Sequence, residues 1–394
     1  MSAFPPTLAA AHARIAAVRP ADYARSRNAL GGAASRLSPY ITHGFVSLPE
    51  VLAGVAAQHR LDPQHKFVYE LGWRAYFRHV WQHRGDAILQ SLHAGPLPED
   101  AYARALPADI RQARSGLPVI DQAVRTLYAT GYLHNHARMW LASYVVHLRK
   151  VHWRAGADWM LAHLLDGDLA SNHLSWQWVA GTGSQKPYLF NAGNVARYAP
   201  ADWHSPGSVI DQSYAALDAI ARRAAPVPAQ PADDGVDEPA LSSQPPDAAM
   251  PMAEDVAGRD VWLIHPWALG APPADLPAGC LLLGWWPAEC HAAWPWSAAR
   301  WRFVGARMAA LATRQWQGDR QALAQALAAA RSVQTLADPH VGPLLPPQVR
   351  QRPPQPLFAE PDRPCASFSA WWLRSTRGLQ ALQDLPGLAA QRAD

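Results

Sequence analysis

The chain has 394 residues, 49% of them hydrophobic and 17% charged, with a formal net charge of +4. That length is enough for two domains with cores of their own. No apolar run approaches the ~18 residues of a membrane span. Cys280, Cys290 and Cys365 are too few for a four-thiolate cluster and lack zinc-site spacing. No basic-then-apolar leader opens the chain, so a cytoplasmic protein with free thiols is expected.

The charge is unevenly laid out. Residues 1–223 carry 22 Lys/Arg against 15 Asp/Glu, residues 224–258 carry 7 acids and no base, and residues 259–394 carry 13 against 9. A basic first part suits a phosphate-backbone partner, and it is equally compatible with an ordinary solvated surface.

Taken in order, residues 7–18 read as a helix stopped by Pro20, and residues 23–36 as a loop with Gly31-Gly32 as its flexible point. Ser35, Arg36 and Ser38 precede Pro39 near a helix start, a setting that suits a diphosphate. Residues 47–60 and 64–84 are helical by pattern, and Phe67, Leu71, Arg74 and Arg78 recur at helical spacing in the second. Glu70 and Trp73 share a face there, so a carboxylate lies beside an indole that could stack on a base. A core tryptophan beside a surface acid would give the same pattern.

Residues 118–130, 133–150 and 155–165 read as further helices. His134, His136, His147, His152, His163 and His173 fall in this part without a carboxylate at ligand spacing, so they are expected to be hydrogen-bonding helix residues and no metal site is expected. Asp166-Gly167-Asp168 lies between an apolar run and Trp176-Gln177-Trp178. Burying an unpaired carboxylate costs several kcal/mol, so a cation must be near, and Arg138 is the best candidate. A helix cap with a structural salt bridge is the alternative. A helix over residues 208–223 follows.

Residues 224–258 are dominated by Pro, Ala, Ser and acids, lack aromatics, and are expected to be a disordered acidic linker. In residues 259–394, Val261-Trp262-Leu263-Ile264 and Cys280-Leu281-Leu282-Leu283-Gly284 read as short buried strands, and residues 298–312 and 320–331 as helices. That alternation predicts a small α/β, Rossmann-like unit, although no Gly-rich phosphate loop is visible.

Five ordered motifs carry a family resemblance. They are Ser35-Arg36-Leu37-Ser38-Pro39-Tyr40, Glu70-Leu71-Gly72-Trp73-Arg74, Gly131-Tyr132-Leu133-His134-Asn135, Asp166 through Asn172, and Trp176-Gln177-Trp178. Over residues 20–200 the chain resembles the FAD-binding domain of photolyases and cryptochromes. The resemblance implies a mainly α protein. An all-helical FAD-binding domain (residues 1–223) would be followed by the small α/β unit (259–394), which faintly resembles the antenna domain that photolyases carry in front.

The resemblance also implies site roles. Tyr23, Ala34, Ser35, Arg36, Leu37 and Ser38 would surround the FAD phosphates, with Ala34 replacing the family's usual threonine. Arg138, Asp166, Gly167, Asp168 and Asn172 would border the ring, with Asp168 bonding it and Asn172 facing its N5. Arg27 would touch DNA phosphate, and Glu70, Trp73, Asn135, Met139 and Trp178 would meet the substrate. Asn135 and Met139 match the cyclobutane-dimer enzymes. Trp176 and Trp153 match two members of an electron-transfer chain whose third falls near Ile110, which cannot be oxidised. The implied activity is light-driven repair of UV-damaged single- or double-stranded DNA by a deoxyribodipyrimidine photolyase-like lyase. The alternatives are a cryptochrome-like photoreceptor or redox protein without repair, and a nucleic-acid-binding module that has lost its flavin. Any antenna pigment or protein partner is left open.

Overall fold

A computed structural model describes residues 3–389 apart from 231, 233, 246 and 247. The first part is helical, and local chemistry sets most of its boundaries. Helix α1 (Leu8–Ala17) is capped by the Thr7 side chain, and α2 (Pro20–Ser26) has its proline at the first helical position. The expected loop of residues 23–36 therefore begins as helix, through Ser26. Pro20 stops one helix and starts the next, because a missing N–H costs nothing in a first turn. After the short α3 (Ser38–Thr42), α4 (Leu48–Ala56) opens with a capping box between Ser47 and Glu50.

Three helices are capped by a histidine ring. His65 caps α5 (Lys66–Arg84), His134 caps α7 (Asn135–Ser143) and His152 caps α8 (Trp153–His163), each accepting an N–H two residues on. Between α5 and α7, α6 (Pro118–Thr130) ends at Gly131 with φ +65. A Cβ there would fall 2.6 Å from the Leu165 side chain, so glycine answers both the turn and the close approach. The expected helix over 133–150 is interrupted: after Ser143 the chain widens into a π-turn, Tyr144–Leu148. Asp168 then caps α9 (Leu169–Ala180), which ends at Gly181. The expected helix over 208–223 is shorter, Tyr214–Ala221.

The second part is built on five parallel strands, β1 (Asp260–Ile264), β2 (Leu281–Pro287), β3 (Arg314–Gly318), β4 (Ser332–Leu336) and β5 (Val349–Arg352), in the spatial order 3-2-1-4-5. β1 and β2 are buried almost throughout, as continuous apolar runs in a parallel sheet should be. Helices α10 (Ala298–Leu311), α11 (Arg320–Leu327) and α12 (Phe368–Ser375) accompany the sheet. A sheet of this order offers a ligand crevice beyond the carboxyl ends of strands 1 and 4. Here Trp267, after β1, stacks on His340, after β4, with centroids 4.0 Å apart, and Trp81 of α5 sits edge-on 4.7 Å from the same ring. The helical part fills the crevice.

Separate cores for residues 1–223 and 259–394 are not what the fold contains. One cluster joins Ile15, Tyr40, Phe45 and Phe67 to Trp285, Phe303, Trp316 and Trp371, while a second lies within the helical part around Val124, Trp140 and Trp153. The sheet thus completes the core of the first helices. Residues 224–258, apart from the undescribed 231, 233, 246 and 247, are also not a free linker. Val227 and Val236 donate their N–H groups to Leu148 and Gln112 carbonyls, Asp234 pairs with Arg125 at 3.0 Å, Glu238 pairs with Arg111, and Val256 is fully buried. The acids that counted against folding find arginines on the helical surface. Residues 241–242 pair antiparallel with 296–297. No helix among the described residues is long and apolar enough to cross a membrane.

Trp371 is fully buried in the shared core, so Trp371→Ala is expected to cost about 3–5 kcal/mol. Far-UV and near-UV signals should shift together in urea. Two separated transitions would show that the halves unfold independently.

Candidate functional site

The turn before α9 is the centre of the site. Arg138 Nη2 lies 2.9 and 2.8 Å from the two carboxylate oxygens of Asp166, its Nε donates to Leu133 O at 2.7 Å, and its guanidinium sits over the Tyr132 ring. Asp166 is only 6% exposed, so this pair meets the requirement that a buried carboxylate be compensated. Thr42 Oγ1 donates to Asp166 O at 3.3 Å, and the His43 ring bridges Leu165 O and Pro266 O at 2.9 and 2.6 Å. The turn is thus tied to α3 and to the loop after β1.

Asp168 faces a different set of groups. Its Oδ1 accepts Ser171 N–H at 2.8 Å, capping α9, and its Oδ2 lies 3.7 Å from Arg74 and 4.0 Å from Arg78. Arg78 also lies 3.0 Å from Asp338, which holds His340 at 2.7 Å. Burial alone would raise the Asp168 carboxyl, but Arg74 and Arg78 outweigh it and hold the group well below the usual carboxylate range. At Asp338 burial is likewise outweighed by Arg78 and His340. Arg74 and Arg78 stand one turn apart on α5, a spacing that marked the helix but not its pairing with Asp168. Asp338 and His340 come from the sheet and left no local signal.

Beside this network is a cavity of about 250 Å³ whose walls include Ser38, Arg74, Asn135, Arg138, Met139, Asp166, Asn172 and Trp176. Residues from all five motifs therefore meet at one space. Asn172 is buried and donates Nδ2–H to Ala157 O at 2.8 Å, which leaves its carboxamide oxygen as the atom to offer a ligand. Trp176 is 2% exposed, and a Cβ on Gly156 would fall 2.3 Å from its ring. Among the described residues its Nε1 has no hydrogen-bond partner. Asn135 Nδ2 lies 3.6 Å from Met139 Sδ, one turn on.

Other expected residues are placed differently. Asp168 is not among the lining residues, because its carboxylate is spent on the cap and the two arginines. Gly167 lies behind the turn, where a Cβ would meet Arg300 Nη1 at 2.5 Å. In the expected phosphate loop only Ser38 reaches the cavity; Leu37 is buried, Ala34 and Ser35 are half-buried, and Arg36 adopts φ +52, in the left-handed region. Tyr23 packs edge-on against Phe67 at 5.2 Å, and burial raises its hydroxyl pKa.

Glu70 takes Lys66 at 2.8 Å and Arg27 at 3.3 Å, so the expected DNA-contacting arginine is paired within the chain. Trp73 lies flat on Phe368 of α12, centroids 4.0 Å apart and planes 8° apart. Trp178 does not line the cavity; it is 39% exposed and 5.7 Å from Tyr188. Trp153 is buried and donates to Ser91 Oγ at 3.0 Å, whereas Ile110 is an aliphatic member of the second core.

The histidines serve as caps and braces. His136 and His147 each engage a backbone carbonyl, His173 engages Leu169 O and Asp158, and His163 lies 3.5 Å from Glu238. His79, His83 and Glu360 come close enough together to suggest a cation site. However, His79 Nε2 accepts Cys365 N–H at 3.0 Å, so Nδ1 carries the proton and donates to Glu360. That wiring withholds the lone pair a metal needs.

Both Asp168 and Asp338 have lowered pKa values, so their ionised forms stabilise the fold above about pH 4, and that contribution is lost as pH falls through the carboxylate range. Arg78→Met leaves both acids short of a cation and is expected to cost about 3–5 kcal/mol at pH 7. The deficit should shrink as pH falls below about 4, where these acids protonate in the unfolded chain while the native arginines still hold them ionised. Urea unfolding at neutral and acid pH checks this, and an equal deficit at both would contradict it.

Residues 67–223 match the family described as the FAD binding domain of DNA photolyase. The deoxyribodipyrimidine photo-lyase of Streptomyces griseus is 38% identical over 168 residues, covering 42% of this chain and 36% of that protein. The cryptochrome DASH of Gloeobacter violaceus is 31% identical over 174 residues, covering 41% and 34%. The chain therefore spans little more than a third of the length of these relatives. Among solved structures, a cryptochrome of Synechocystis sp. PCC6803 aligns with a TM-score of 0.43 and 28% identity, over 48% of this chain and 43% of that one.

Proposed function

We propose, from the premise that residues 67–223 form a photolyase-type FAD-binding domain, that this chain is a light-driven flavoprotein that splits cyclobutane pyrimidine dimers in DNA. The observation that carries this reading is the convergence of Arg138–Asp166, Asn172, Trp176 and the Asn135–Met139 pair on one cavity. These residues fit an isoalloxazine ring. Asn172 offers a carboxamide oxygen of fixed orientation, Arg138 and Arg74 supply positive charge at the wall, and the apolar Trp176 face excludes water.

When bound and reduced, FAD supplies the light-driven electron that cleaves the dimer; the protein's task is to orient and polarise. Ser38 and the backbone amides of the preceding loop would meet the diphosphate. Trp176, against the first turn of α8 that Trp153 begins, would with Trp153 relay an electron inward from an external reductant, since Ile110 cannot supply one. Asn135 and Met139 would face the dimer at the mouth, and the surplus of Lys/Arg in residues 1–223 would hold the DNA backbone.

Two measurements test the reading. Arg138→Ala strands Asp166 in its buried setting, and FAD affinity should fall at least about tenfold by absorbance titration, in keeping with the several kcal/mol at stake in such a pair. An oligonucleotide carrying a cyclobutane dimer should be repaired under blue light with a reductant present. A dimer that persists in both single and double strands would refute repair.

A second reading, a photoreceptor or redox flavoprotein without repair, is favoured by one observation. Phe368 occupies one stacking face of Trp73, and Glu70 is tied to Lys66 and Arg27. Base–aromatic stacking is worth about 1–3 kcal/mol. If repair uses Trp73, Phe368→Ala should tighten binding of dimer-containing DNA by roughly 5- to 150-fold in a fluorescence titration. Unchanged affinity, with no repair by either protein, would support the second reading.

A further inference from the structure

Arg300 belongs to α10, in the part of the chain that the photolyase domain match does not reach. It is 1% exposed, yet no carboxylate touches it within salt-bridge distance among the described residues. Its Nη1 donates to Leu161 O at 3.1 Å and its Nη2 to Gly167 O at 2.7 Å, and its guanidinium lies 4.1 Å from the Trp296 ring centre. One planar fork thus holds the last full turn of α8 and the glycine between Asp166 and Asp168. Gly167 has no room for a Cβ, which would fall 2.5 Å from Nη1. Burial disfavours the charge on Arg300, and the fields of Asp166 and Asp168 support it.

The buried cluster then has four guanidiniums, on Arg74, Arg78, Arg138 and Arg300, facing three carboxylates, on Asp166, Asp168 and Asp338. Arg300 supplies the surplus cation. The turn it grips presents Asp166 to Arg138, and it also sets the cap of α9, whose Asn172 and Trp176 line the cavity.

We propose that Arg300 is a positioning residue of the flavin site, acting from the α/β half through the Gly167 and Leu161 carbonyls, and that its charge favours the reduced, more negative flavin. This rests on the flavin reading above. A low-dielectric setting magnifies one unit of charge, and the protein tunes a bound cofactor through such fields. Lysine would keep the charge and lose the fork, because its flexible stem carries one nitrogen where the planar guanidinium presents two at fixed spacing.

The test uses the full chain reconstituted with FAD, with Arg300→Met and Arg300→Lys. The readouts are FAD affinity by absorbance titration and the flavin midpoint potential by spectroelectrochemistry. Arg300→Met should weaken FAD binding at least about tenfold, the effect of losing about 1.4 kcal/mol, and move the potential to more negative values. Arg300→Lys should keep the wild-type potential and weaken FAD binding by roughly threefold or more, since the rigid two-nitrogen grip on the turn is lost. A folded Arg300→Met protein with unchanged affinity or unchanged potential overturns the proposal. If that variant does not fold, Arg300→Lys decides, and unchanged affinity there overturns it. Wild-type protein that takes up no FAD overturns the flavin reading, and this inference with it.

Discussion

Two carboxylates held out of water on either side of Gly167 are the constraint from which the structure follows. Asp166 and Asp168 are 6% and 4% exposed, and neither can remain ionised there without cations. Arg138 serves the first; Arg74 and Arg78 serve the second. Those arginines come from α7 and from adjacent turns of α5, so satisfying the acids fixes how three helices meet. The cavity is the space left between helices drawn together in this way. Its polar wall is a by-product of the same pairing: Arg138, Arg74 and Asp166 are structural partners and cavity residues at once.

The α/β half is part of this arrangement. A sheet ordered 3-2-1-4-5 has a natural ligand crevice, and here that crevice is closed by Trp267 stacked on His340, with Arg78 and Trp81 of α5 against it. The loop that would hold a ligand instead holds Asp338 against Arg78. The shared core of Phe45, Phe303 and Trp316 explains why: the early helices present apolar faces that only the sheet covers. A unit placed after the helical domain braces the site from behind, while every residue lining the cavity belongs to the helical part.

The aromatic face of α5 bears on what that site can do. Tyr69, Trp73 and Tyr76 pack against Phe368, Trp371 and Trp372, and a Cβ on Gly72 would fall 2.6 Å from the Trp372 ring. Burying side chains of this size stabilises the contact by several kcal/mol, so α12 rests on α5 as core packing. One face of the Trp73 ring is thereby taken up by Phe368. Asn135 and Met139, on α7, keep their places at the cavity whatever α12 does.

Much of this was legible in the residues. Helix starts at Thr7, Ser47 and Asp168, the stop at Gly131, the buried strands at Val261 and Leu281, and the pairing of Asp166 with Arg138 all follow from short-range chemistry or from the cost of an unpaired charge. The order of five motifs carries the resemblance to a flavin-binding domain without any tertiary contact. The tertiary structure alone decided which cations Asp168 takes, why Gly167 must be glycine beside Arg300, what covers Trp73, and that residues 224–258 dock along the helices. Caps and periodicity act over a few residues, whereas these contacts join positions tens to hundreds of residues apart. Nothing in the local pattern of either partner encodes the other.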